Sequence, residues 1–381
     1  KPQDKKQMGT ARVHINRNIL IWAVERIGKT VDEYVAENPV FQQWLDGTIL
    51  PTYKNIEQFA HKLYVPLGYM FLPEPPQEIF PIPFFRNKDN RSHNINLYDT
   101  VIDMQERQEW LSGYLHRMGF DKIDYVGIFT PQDTVREVVD KIKEILGLQS
   151  NWALEFNNVD SALKYLTKKI EEKGVIVTFN SVVGFNNKRP IPVEDCRGFV
   201  LVDDYAPFIF VNSKDAKVAQ IFTIIHEFAH ILTGYSAGVG NIDMEQSSDI
   251  ERYCDKIAAS FLVPEGLFRN LWKDYPGNYE VLSKYLKVSR LVIARRAVEL
   301  NFISQERFFQ LYNLWSKEPK VKVNSSGGNF YPSAIKKNSR TFLIHVNTAI
   351  NRNMLLHMDA YRLTGLKGDT FHKIINSSSF V

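Results

Sequence analysis

His226-Glu227-Phe228-Ala229-His230 sets two imidazoles four residues apart with a carboxylate between them. On a helix, residues at that spacing stand one above the other on one face, so both rings reach a single zinc ion. Glu227 has no ligand role at this spacing, and its carboxylate is placed to take a proton from water at the ion. One histidine on an apolar helix is ordinarily a core residue. Two with a glutamate between them form the pattern of a hydrolytic metal centre. Such a centre needs a third protein ligand and a position left open to water. Asp249 to Leu262 reads as the next helix, ended by Pro264, with Glu251 one turn ahead of Asp255. Glu251 is the expected third ligand, and Asp255 is expected to hold a ligating histidine in its tautomer. Both acids share a stripe with Ala258, Ala259 and Leu262, and acids on a buried stripe need a partner. Cys254 reads as a small buried thiol rather than a ligand. Tyr235 and Tyr253 are neighbouring phenols suited to steadying an oxyanion, with nothing in the sequence to choose between them.

The elements that must position these groups are legible on either side. Ile221, Ile224, Ile225, Phe228, Ile231 and Leu232 make a broad apolar helix surface, and Gly234 is its stop signal. Upstream, VIVTFN, FVLVDD and PFIFVN, starting at Val175, Phe199 and Pro207, read as short strands. The order of sheet followed by active helix predicts an α+β domain. PFIFVN is the candidate edge strand for pairing with an extended peptide, its other reading being a strand buried against helices. The loop from Tyr235 to Ser248 reads as a substrate rim or as a plain connector. Leu97–Met118, Thr134–Leu146 and Asp160–Lys173 read as amphipathic helices. Arg290, Arg295 and Arg296 lie in a segment patterned like a helix-turn-helix, which reads more readily as packing beneath the site.

HEFAH followed by E-x-x-C-D-x-x-A-A-x-x-L-V-P, together with the upstream CRGFVLVDDYAPFIFVNSKDAKVAQIFTII, resembles the ImmA/IrrE family of metallopeptidases. The resemblance implies a zincin-like fold, a small sheet plus the HEXXH helix. It implies His226, His230 and Glu251 as ligands of one Zn2+, with Mn2+ as the other candidate ion, and Glu227 as the catalytic acid/base. The family commonly has Asn where this chain has Asp255. Long members carry an Xre-type helix-turn-helix ahead of the peptidase, which QQWLDGTILPTYKNIEQFAHKLYVPLGYMFLPEPP resembles here. The implied partner is a specific cytoplasmic protein, a transcriptional repressor or a cognate toxin, in mobile-element, phage or stress response. The other reading is a DNA- or protein-binding regulator, antitoxin-like, whose zinc site does no proteolysis.

The expected organisation is a helical module over 1–75, a proline-rich linker over 76–96, the peptidase domain over 97–315 and a basic helical domain over 325–381. Four helices are expected between Asn16 and Leu72, the second opened by a Thr30-to-Glu33 capping box. Gln42 and Gln43, on the third, are the candidates to read adenine edges. That helix has no Lys or Arg, and residues 1–76 hold nine basic against eight acidic residues. So even a charge drives few phosphate contacts, and a module with no DNA affinity explains it equally. From Ser316 to the end there are ten Lys or Arg against three Asp or Glu, which suits an acidic partner or a solvated surface. The 381 residues are 44% hydrophobic and 24% charged, the balance of folded, water-soluble chains. No apolar run is long enough for a membrane span, and the opening KPQDKKQMGT has no signal-peptide core. With only Cys196 and Cys254, the expected compartment is the reducing cytoplasm.

Overall fold

The computed structural model describes residues 11–78, 95–239, 249–318 and 330–375. It divides into two compact units, residues 1–81 with 86–99, and residues 82–85 with 100–381. Most of the expected linker, and the start of the segment expected as a domain over 325–381, lie outside the described residues.

The first unit is helical. α1 (Arg17–Arg26), α2 (Val31–Glu37), α3 (Val40–Leu45) and α4 (Tyr53–Lys62) are followed by a 3-10 turn at Leu67–Phe71. They close on a core of Ile19, Leu20, Tyr34, Phe41, Ile56 and Phe59. The Thr30–Glu33 capping box forms at the start of α2, and Thr52 with Asn55 forms a second at α4. Each satisfies two backbone N–H groups that the first helical turn leaves without partners.

In the second unit the long α5 (Ile95–Arg117), most of which belongs here, precedes α6 (Val135–Leu146) and α7 (Val159–Glu171). A sheet region follows: β1 (Ile176–Asn180), the β2–β3 hairpin (Val182–Val183, Asn186–Pro190), β4 (Gly198–Leu201) and β5 (Phe208–Asn212). α8 (Lys217–Thr233), β6 (Ala237–Val239) and α9 (Asp249–Leu262) come next. α10 (Glu265–Asp274), α11 (Tyr279–Leu286), α12 (Arg290–Glu299) and α13 (Gln305–Ser316) continue the helical part. After 330 come α14 (Phe330–Asn338), α15 (Arg340–Asn351), α16 (His357–Thr364) and α17 (Gly368–Ile375). The unit is thus mixed α+β, mostly helical around one small sheet. None of the helices described is long and apolar enough to cross a membrane.

The sheet order is β1-β5-β4-β6, with β5 parallel to β1 and antiparallel to β4. This corrects the reading of PFIFVN as an edge. β5 has a neighbour on each side and every one of its residues is buried, so it has no free edge to offer. The physical sign is its unbroken apolar run, which marks a strand covered on both faces. Among the described residues the edges of this sheet are β1 and β6, and β6 pairs antiparallel with β4 in the register Gly198 to Val239, Phe199 to Gly238 and Val200 to Ala237.

α8 lies on β4 and β5 and against α9. Ile221, Ile224, Ile225, Phe228, Ile231 and Leu232 are all fully buried. The helix stops at Gly234, whose φ of 77° is the left-handed conformation that ends helices. Two carbonyls of its last turn, on Ile231 and Leu232, accept from the N–H groups of Gly127 and Phe129 at 3.0 Å each. The end of the metal helix is thus held by protein rather than by water.

The segment 325–381, expected as a domain of its own, supplies helices that belong to this same unit. α14 runs along β1, and Phe342 of α15 meets Trp110 and Phe208 edge-on, at 5.7 Å each. Ser339, the N-cap of α15, accepts from the Phe342 N–H and donates its hydroxyl to the half-buried carboxylate of Glu171. Burial raises Glu171 from 4.5 to about 7, against the hydrogen bonds from Ser339 and the Val177 N–H and the pull of Arg340. The folded pKa lies above the unfolded one, so this group's contribution is fully present below pH 4.5 and is lost as pH rises through about 7. Glu171→Gln should remove that loss. Between pH 5 and pH 8 the variant should gain roughly 2–3 kcal/mol on wild type in urea unfolding. Parallel profiles for the two proteins would contradict it.

Candidate metal centre

The two histidines lie one turn apart on α8, and Glu251 comes from the first turn of α9. The two Nε2 atoms are 3.2 Å apart. Glu251 Oε2 is 3.2 Å from His226 Nε2, and Oε1 is 3.2 Å from His230 Nε2. All three side chains are buried, and among the described residues they form the one His/Cys/Asp/Glu group whose ligand atoms converge on a common point. Asp255, one turn further along α9, brings Oδ1 to 3.0 Å from His226 Nδ1, the contact being out of line for a well-formed hydrogen bond. Asp255 Oδ2 lies 3.5 Å from Arg295 Nη1 on α12.

This donor set fits a metal ion. An acceptor beside Nδ1 favours a proton there and leaves Nε2 as a bare lone pair facing another nitrogen and a carboxylate. Facing lone pairs repel unless a cation stands between them. The titration directions say the same. Burial opposes charge on His226, but the carboxylates of Asp255 and Glu251 override it and hold the imidazole well above its usual range. Glu251 is brought down to about 2: burial pushes it up, and contacts with His226 and His230 outweigh that. His230 is lowered, by burial first. The residues are set for positive charge at their centre, which a divalent ion supplies.

Glu227 projects from α8 toward the sheet. Burial raises it well above the usual carboxylate range; His226 works against that, and Glu251 and Asp255 add to it. Neither carboxylate oxygen has a hydrogen-bond partner among the described residues. A buried ionised carboxylate without partners is expensive, so this position is one where a proton is readily taken up and held.

Gly198 makes the arrangement possible. A Cβ on it would lie 2.4 Å from Thr223 Cγ2, 2.8 Å from the Phe210 carbonyl oxygen and 3.4 Å from Glu227 Oε1. Only a bare backbone lets α8 lie this close to β4. Gly198→Ala should therefore destabilise the unit by roughly 1–3 kcal/mol through overpacking, read as a lower urea midpoint at unchanged slope. An unchanged midpoint would mean that the helix has room to move away.

Of the other residues singled out, Cys254 is buried outside the ligand group. Tyr253 donates its hydroxyl to the Asp133 carbonyl at 2.8 Å, and Tyr235 is exposed. Residues 240–248 of the loop between the helices lie outside the described part. Arg290 pairs with Glu318, and Arg296 donates to the Val263 carbonyl and to Glu299, so these arginines serve packing within the unit. Arg295 lies in that same segment, and its position behind Asp255 is not legible in the sequence. Nothing local in the sequence connects residues 40 apart, and the same holds for Gly198. In the first unit, Gln42 and Gln43 are exposed on α3, and Gln42 Nε2 donates to the Asp46 carboxylate at 2.9 and 3.0 Å.

A small mixed sheet, a buried H-E-x-x-H helix laid on it and a carboxylate from the next helix define a metallopeptidase-type domain. Residues 171–298 match the family model of the IrrE N-terminal-like domain, Peptidase_M78. The chain thus carries a domain of the ImmA/IrrE metallopeptidase family, as its motifs implied. Residues 338–377 match a domain of unknown function, DUF8813. No curated protein matches the chain.

Proposed function

We propose that this protein is a zinc-dependent endopeptidase that cuts a specific cytoplasmic protein, a transcriptional regulator being the substrate class the family suggests. The observation that carries the reading is Glu227: a buried carboxylate, without hydrogen-bond partners among the described residues, beside three converging metal-ligand side chains. A purely structural metal site has no use for such a group. His226, His230 and Glu251 would hold the ion, and Asp255 would orient His226. Zinc in such a site polarises a carbonyl and brings the pKa of water down to about 7. Glu227 takes the proton of the attacking water and hands it to the departing amine as the C–N bond breaks, so the carboxylate ends as it began. The burial of Glu227 favours holding that proton between the two transfers.

Contact with DNA through the first unit is the weaker part of the regulator reading, since α3 presents no cation and one of its two glutamines is already bonded to Asp46. The test is to express wild type and Glu227→Gln in a host containing the candidate partners and compare the protein N-termini in the two. A new N-terminus that depends on Glu227, together with one zinc per chain by elemental analysis, supports the reading. Zinc in both proteins with identical N-termini, and a partner retained equally by both, favours the binding regulator.

A further inference from the structure

Beside the metal group lies a cavity of about 580 Å³, within the span of roughly 300–1,000 Å³ usual for ligand sites. His226 and Asp255 form part of its wall. Phe222 and Val292, from α8 and α12, make it apolar, and Arg197, Arg252 and Arg295 also line it. Its far wall is α13, which contributes Phe308, Phe309 and Tyr312. Phe308 is buried and anchors that helix, but Phe309 is 47% exposed and Tyr312 39%. Two large aromatic rings left open to solvent around a cavity are surface the fold has not covered for its own stability. α13 also lies outside residues 171–298, the span that the family model matches.

His226 belongs both to the metal group and to the wall of this cavity, so the cavity adjoins the position an ion would take. We propose that the cavity selects the substrate: it receives an aromatic or long aliphatic side chain adjacent to the cut bond, and an acidic residue beside that one meets the arginines. This rests on the peptidase reading and names the substrate class for the same site. The apolar walls reward burial of a bulky side chain at roughly 25 cal/mol per Å². The charge argument is local. Arg295 is already held by Asp255 and Glu299, whereas among the described residues Arg252, about half exposed, pairs with the solvent-facing Asp249, and Arg197 with Asp215. An incoming carboxylate can displace the exposed Arg252–Asp249 pairing, which contributes little by itself.

The test is binding of peptide hydroxamates to the zinc-loaded full chain by calorimetry, so that no turnover is needed. Glycyl, phenylalanyl, phenylalanyl-aspartyl and phenylalanyl-lysyl hydroxamates form the panel. The phenylalanyl compound should bind at least about tenfold tighter than the glycyl one, and the aspartyl extension should bind tighter than the lysyl. Phe309→Ala/Tyr312→Ala, both at exposed positions, should lose most of the phenylalanyl preference and keep the glycyl affinity; thermal unfolding confirms its fold. Arg252→Ala should erase the difference between the charged extensions. Equal affinity for glycyl and phenylalanyl compounds on a protein that binds zinc and hydroxamate overturns the apolar wall. Equal affinity for the charged pair overturns the arginine contribution. Failure to bind zinc at all sinks the peptidase reading, and this inference with it.

Discussion

Glu227→Gln is expected to leave the zinc content at one per chain and to lower the cleavage rate by about a thousandfold or more. General acid–base catalysis by one side chain is usually worth about 10²–10⁴, and here the same group serves both proton transfers. Glutamine keeps the shape of a protonated glutamate and can neither accept the first proton nor return it. It should also fold at least as well as wild type. The glutamate sits buried with no hydrogen-bond partner among the described residues, and a neutral amide avoids the penalty of ionising there. Zinc by elemental analysis, cleavage of the identified partner by mass spectrometry and a urea midpoint together decide the matter. A variant that cuts within tenfold of wild type would remove Glu227 from the chemistry while leaving the ligand set untouched.

Zinc removal is expected to have the second large effect, on stability. Ligand atoms from α8 and α9 converge within 3.2 Å, so an ion there ties two core helices together and binds only the folded chain. At free zinc a thousandfold above the dissociation constant, linkage contributes roughly 4 kcal/mol. For a unit of this size that corresponds to a fall of roughly 10 °C in its unfolding transition when a chelator is added. Glu251→Ala should bind zinc at least about a hundredfold more weakly and so keep at most about a third of that stabilisation at the same free zinc. Losing a ligand must weaken the site at least as much as losing one of its supports, which is worth about 10–100-fold. Calorimetric scans with zinc and with chelator, on both proteins, check it. A chelator-insensitive wild type carrying full zinc would mean that the ion lies elsewhere.

How much of this could be read from the residues follows from how local each signal is. His226 and His230 are one turn apart, and Glu251 and Asp255 one turn apart on the next helix, so helical geometry alone brings each pair to a face. That the two faces meet follows from apolar stripes that can only be buried against each other, and the resemblance reinforced it. Gly198 and Arg295 act across the fold, and a glycine in a short strand or an arginine in an amphipathic helix has too many ordinary explanations to be singled out. The misplaced edge has a different cause. FIFV carries the sign of a covered strand, an apolar run without alternation, and nothing local in it marks an edge. β6 was missed because three residues beside a glycine-bearing loop carry no strand periodicity. The polar, glycine-bearing stretch around 325–328 reads as a boundary, while Phe342 and Ser339, which join the following helices to the second unit, look like any other core and cap residues.

The pairing of β6 with β4 has a consequence for affinity. β4 is bordered by β5 on one side and by β6 on the other, so every main-chain partner it can have is already present. A polypeptide that binds by becoming β4's neighbour must take β6's place. It then competes against a strand tethered only a few residues from the end of α8, whose effective concentration is in the millimolar range or above. The measured dissociation constant is the intrinsic one divided by the fraction of molecules in which β6 has let go. Chains at micromolar levels are thereby outcompeted by the protein's own backbone. A partner that engages other surfaces first gains a local concentration of its own and can win the exchange.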